Sequence, residues 1–118
     1  MMKALDHGCR EIEPEAFDDV IGYDNFILVE FFTGRSLLLD EIEDLEEQFE
    51  VFELYIFCVD ANKHKSFAAT LGVTTTPSAA LFYSEEHFPR SITTQFDDMS
   101  HWLETNLPEV DTYTDPET

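Results

Sequence analysis

Gly72-Val73-Thr74-Thr75-Thr76-Pro77-Ser78-Ala79-Ala80-Leu81-Phe82-Tyr83 decides the fold. Gly72 stands where a helix carrying Phe67, Ala68 and Leu71 must end, because glycine tolerates the left-handed C′ conformation. Residues 79 to 83 are continuously apolar, which suits a strand buried on both faces of a sheet. The proline sits between the two and lacks the N–H that a central strand needs. A second run, Phe26-Ile27-Leu28-Val29-Glu30-Phe31-Phe32, reads the same way, as does the stretch from 54 to 59. Three buried strands in a chain of 118 residues imply one α/β domain with helices on both faces.

The intervening segments supply those helices. Ile12 belongs to a short first strand. Pro14 suits a first helical turn, Phe17, Val20 and Ile21 share a face, and Gly22 fits the C′ position. Leu38, Ile42, Leu45 and Phe49 recur at helical spacing, and Ser36 is placed to cap that helix. Residues 91 to 96 alternate enough for an edge strand. Asp97 or Asp98 caps a final helix with Met99, Trp102, Leu103 and Leu107 facing inward, and Pro108 ends it. The order is βαβαβαββα, a central mixed sheet flanked by helices. Residues 1–9 form an N-terminal extension, 10–107 the domain, and 108–118 a polar, acidic tail expected to be disordered.

Val29-Glu30-Phe31-Phe32 resembles the strand before the active site in thioredoxins and protein disulfide isomerases. Gly72-Val73-x-x-Thr76-Pro77-Ser78-x-x-x-Phe82 is similar to the cis-proline segment of the same superfamily. The resemblance covers roughly residues 10 to 107 and implies a thioredoxin-like fold with Thr76–Pro77 cis. The departures are equally specific. The family's Cys-x-x-Cys is replaced by Thr33-Gly34-Arg35-Ser36, the preceding tryptophan is missing, and the stretch between strand and helix is a few residues shorter.

Dithiol exchange needs a thiolate of lowered pKa at a helix N-terminus and a second sulfur beside it. Thr33 and Ser36 offer only hydroxyls, so the expectation is a redox-inactive member and not an enzyme. Cys9 and Cys58 match no redox or metal spacing and are read as free thiols. Glu30 aligns with the family's buried proton acceptor; the alternative is a strand-end acid reaching water or Arg35. The turn from Thr33 to Ser36, opening a helix beside Arg35, could attract an anion, although an ordinary N-cap is the plainer reading. The histidines share no ligand spacing. Neither a metal nor a cofactor is implied.

Twenty-six acids against six bases give a formal charge of −20. Such a field repels nucleic acid and anionic membranes and favours basic protein surfaces. Between Ser36 and Asn62 there are nine acids and no base. Asp40, Glu41, Glu43, Asp44, Glu46, Glu47 and Glu50 are expected to form a solvated outer helix face, with Glu43 and Glu47 offered as a docking surface. Neither a signal peptide nor an apolar run of spanning length is evident, so a soluble, cytoplasmic protein is expected. The resemblance implies that the backbone beside the cis-proline pairs with an extended segment. The leading expectation is therefore a protein-binding adaptor or chaperone-like accessory module. Its partner surface comprises Thr75, Thr76 and Pro77 with Phe32, Thr33, Gly34, Arg35 and Ser36, the acidic helix, or both. The alternatives are a glutathione-dependent enzyme without a protein thiol and an acidic mimic that binds a basic target.

Overall fold

The computed structural model describes residues 10–21 and 25–108. The N-terminal extension, Gly22 and the tail beyond Pro108 lie outside them. Strands β1 (Arg10–Glu11), β2 (Phe26–Phe32), β3 (Leu54–Asp60), β4 (Ser78–Phe82) and β5 (Ser91–Thr93) form one sheet in the order β1-β3-β2-β4-β5. Strands β1, β3 and β2 are parallel, whereas β4 runs antiparallel to both β2 and β5. Helices α1 (Phe17–Ile21), α2 (Ile42–Gln48), α3 (Lys65–Thr70) and α4 (Met99–Asn106) cover the faces. Pro14–Ala16 forms a 3-10 turn that leads into α1.

Strand alternation divides the core in two. Ile27, Val29, Phe31, Val59, Ala80 and Phe82 pack with Phe17, Ile21, Ala68 and Leu71 from the α1/α3 side. Leu28, Leu54, Ile56, Ala79 and Leu81 pack with Leu38, Ile42, Leu45, Met99 and Leu103 from the α2/α4 side. Phe17 stacks edge-on against both Phe67 and Phe82, at centroid distances of 5.1 Å. Such contacts fix ring orientation as well as burying area.

Several elements differ from the sequence reading. Helix α2 begins at Ile42, well after Ser36, and its N-cap is Glu41 with no side-chain bond. Leu38 is nevertheless fully buried, held in the core from a non-helical segment. Strand β5 stops at Thr93, whose hydroxyl accepts from the Gln95 N–H at 3.0 Å and turns the chain. Helix α4 is capped by Asp98, which accepts from the His101 N–H at 3.1 Å.

Two further corrections concern single residues. Glu46 is not part of a solvated face. It accepts the Ile56 N–H at 2.8 Å and forms a two-pronged ion pair with Arg10, so it ties α2 to β3 and β1. Cys58 is buried and disulfide-bonded, not a free thiol; Cys9, the sequence's other cysteine, lies outside the described residues.

Candidate functional site

Strand register creates the site. Phe31 pairs with Ser78 across β2 and β4, and Phe32 with Asp60 across β2 and β3. The segment 33–36 after β2, the segment 61–64 after β3 and the segment 74–77 before β4 therefore meet at one end of the sheet. The Ala61 N–H donates to the Phe32 carbonyl at 2.9 Å and ties the first two together.

The Thr76–Pro77 peptide is cis. Thr74, Thr75 and Thr76 are exposed, and no backbone hydrogen bond joins them to the rest of the described chain. Polar backbone groups in that state are open to pairing with an added strand. Behind them Ser78 is fully buried, and its Oγ has no hydrogen-bond partner among the described residues.

Gly34, at φ +84°, lets the chain reverse between Thr33 and Arg35, which bridge each other across it. The turn does not open a helix, because Glu30 claims the groups that would otherwise serve one. The Ser36 hydroxyl donates to Glu30 Oε1 at 2.6 Å, and the Leu37 N–H donates to Oε2 at 2.6 Å. Glu30 is fully buried on the α2/α4 face and does not reach water. Burial pushes its carboxyl up from the ordinary glutamate range, against the opposing pull of Ser36 and the Leu37 and Leu38 N–H groups. The ordinary N-cap expected of Ser36 is not formed, and the alternative of an anion held at a helix start beside Arg35 loses its helix: Ser36 faces a carboxylate and α2 starts only at Ile42. Arg35 is exposed and forms no ion pair among the described residues.

Of the residues singled out from sequence, Phe32 to Ser36 and Thr75 to Pro77 converge here. Glu43 and Glu47 do not. They are exposed on α2, in the layer on the α2/α4 face. Sequence reasoning missed the cleft on the opposite face, about 400 Å³, whose walls include Ala61, Lys65, Ala68, Val73, Thr74 and Thr76. Its signal was the small-residue face of the short helix after Lys65. Among the described residues no cluster of His, Cys, Asp or Glu could hold a metal ion.

The Chlamydomonas reinhardtii thioredoxin f2 structure superposes with a TM-score of 0.64 over 87% of this chain and 100% of that one, at 17% identity. This chain has a thioredoxin-like fold. A designed protein of known structure matches comparably, at TM-score 0.63 and 18% identity over 86% of this chain and 95% of that one. Identities this low establish the fold alone. Neither a family model nor a curated protein sequence matches the chain.

Proposed function

We propose that this chain is a non-catalytic thioredoxin-fold module, an adaptor or chaperone-like accessory protein, that binds an extended segment of a partner protein along Thr74–Thr76. The observation that carries this reading is the exposed threonine backbone, unpaired within the described chain and adjoining the cis peptide. An extended segment laid against it gains main-chain hydrogen bonds without any change in the fold. The loop from Thr33 to Ser36 supplies hydroxyls in place of thiols, and the Ser36 hydroxyl is already engaged by Glu30. Neither group exchanges a disulfide.

A peptide-display selection tests the reading. Binders should be enriched, and Thr75→Pro, which deletes one backbone donor at the edge, should lose them. Binders retained at full affinity by that variant would place the site elsewhere. The protein should also leave insulin disulfides unreduced with any supplied reductant. Turnover that persists after Cys9→Ser and Cys58→Ser would overturn the non-catalytic assignment.

The cytoplasmic setting belongs to the same proposal. The described residues contain no helix long and apolar enough to cross a membrane. The disulfide at Cys58 weighs against a reducing compartment, because disulfides persist mainly in oxidising ones. Thiol titration of protein isolated from its source cell separates the two settings.

A further inference from the structure

The cations of this acidic chain are unevenly employed. Arg10 is paired with Glu46, and Arg90 with Glu86. Arg35, Lys63 and Lys65 form no ion pair with any described carboxylate. All three lie on the segments that leave β2 and β3 at the cis-proline end of the sheet. Two acids beside them have contacts of their own. Asp60 Oδ1 accepts the Asn62 N–H at 3.0 Å and the Lys63 N–H at 3.3 Å, and Glu13 lies 3.1 Å from His64.

Lys65 also lines the cleft described above. The floor of that cleft is apolar, with Ala61, Ala68 and Val73 buried. Thr74 and Thr76 stand on its wall, two positions apart, and Thr75 does not line it. In extended chain, alternate residues share a side. An extended partner segment laid against Thr74 and Thr76, which line the cleft, would therefore direct alternate side chains of its own towards it. A neighbouring cleft of about 490 Å³ shares Asn62 and Lys65 and includes Lys63, so both lysines border the same surface.

We infer that this cleft is the specificity pocket of the binding edge, and that it selects an extended partner segment carrying an acidic side chain, with Lys65 as the counter-charge. The inference rests on the proposed peptide-binding role and specifies its partner. The side chain that fits has an apolar stem for the alanine and valine floor and a carboxylate tip for the ammonium. Glutamate meets both requirements. The preference arises at short range. Exposed charges farther away than a Debye length, about 8 Å at physiological ionic strength, are largely screened, so the protein's overall negative charge slows encounter more than it weakens the seated contact.

The test uses the whole chain and fluorescent decapeptides of alternating Ser and Val with Glu, Gln or Lys at the central cleft-facing position. A fourth peptide carries Glu and a centrally N-methylated backbone. The expected order of affinity is Glu above Gln above Lys, with Glu favoured over Gln about two- to fivefold, as an exposed ion pair allows. Lys65→Gln should abolish that preference, and an unchanged circular-dichroism spectrum and urea midpoint show that the variant is folded. Equal binding of the three peptides, with loss on N-methylation, would overturn the acidic-pocket inference and leave the edge-binding reading intact. A Glu preference that survives Lys65→Gln would overturn it as well. Binding of none of the peptides, or binding indifferent to N-methylation, would overturn the edge-binding reading itself.

Discussion

Replacing Glu30 with Gln should make the protein more stable at neutral pH, although it removes a buried, doubly hydrogen-bonded side chain. The carboxylate is fully buried and accepts from the Ser36 hydroxyl and the Leu37 N–H, each at 2.6 Å. A glutamine of the same length preserves both bonds. Its oxygen accepts from Leu37, its amide donates to Ser36, and the hydroxyl changes from donor to acceptor. The buried charge disappears. Because desolvation raises the Glu30 carboxyl above its unfolded value, the folded state binds this proton more tightly than the unfolded state does. The stabilisation is fully present below the ordinary glutamate value of about 4.3. It is lost as pH rises through the higher folded value. Each tenfold difference in proton affinity contributes about 1.4 kcal/mol to that loss. Glutamine mimics the protonated side chain, so the variant should match wild type at low pH and exceed it increasingly as pH rises through the window. Urea midpoints measured across pH 3 to 8 for both proteins give the difference directly, and contributions from the other carboxylates cancel. Glu30→Ala is the control. It orphans two donors at about 1–3 kcal/mol each and adds a cavity, so it should destabilise at every pH. A difference between Gln and wild type that is flat with pH, or that favours wild type increasingly as pH rises, would refute the reasoning.

Other substitutions probe the same framework. Ser78→Ala should gain about 1 kcal/mol in urea unfolding, because the buried Oγ finds no partner among the described residues; a comparable loss would show that the hydroxyl is satisfied. Gly34→Ala should cost about 1 kcal/mol through its φ of +84° alone, since an added Cβ meets nothing within 4 Å; no loss would mean the turn relaxes. Reversing Glu47 alone to Lys should raise the melting temperature by about 2 °C, because it turns the i,i+4 repulsion from Glu43 into an attraction of roughly 0.2–0.5 kcal/mol. It should leave peptide affinity unchanged. Weakened, strongly salt-dependent binding would move the docking surface to α2.

Much of the fold was legible because the signals were local and strong. The runs at 26–32, 54–59 and 79–83 became β2, β3 and β4, and Leu38, Ile42, Leu45 and Phe49 are all buried as their spacing implies. What sequence did not reveal depends on long-range contacts. Ser36 looks like an N-cap until Glu30 folds beneath it and takes its hydroxyl, which delays α2 to Ile42. Glu46 looks like one more acid on a charged face until β3 presents the Ile56 N–H and β1 presents Arg10. The Lys65 cleft lies within residues 61–76 and leaves a faint mark in sequence, the small residues Ala68 and Ala69 of α3, but which of them face it is fixed only when that stretch folds back between β3 and β4.

The central claim is that partners bind along Thr74–Thr76, and amide NMR during titration with a display-selected peptide tests it most directly. The account predicts shifts and slowed hydrogen exchange at Thr74, Thr75, Thr76 and Ser78, smaller changes from Phe32 to Leu37, and silence at the exposed positions of α2. Perturbation confined to Glu43, Asp44 and Glu47, with the threonine amides unmoved, would contradict it.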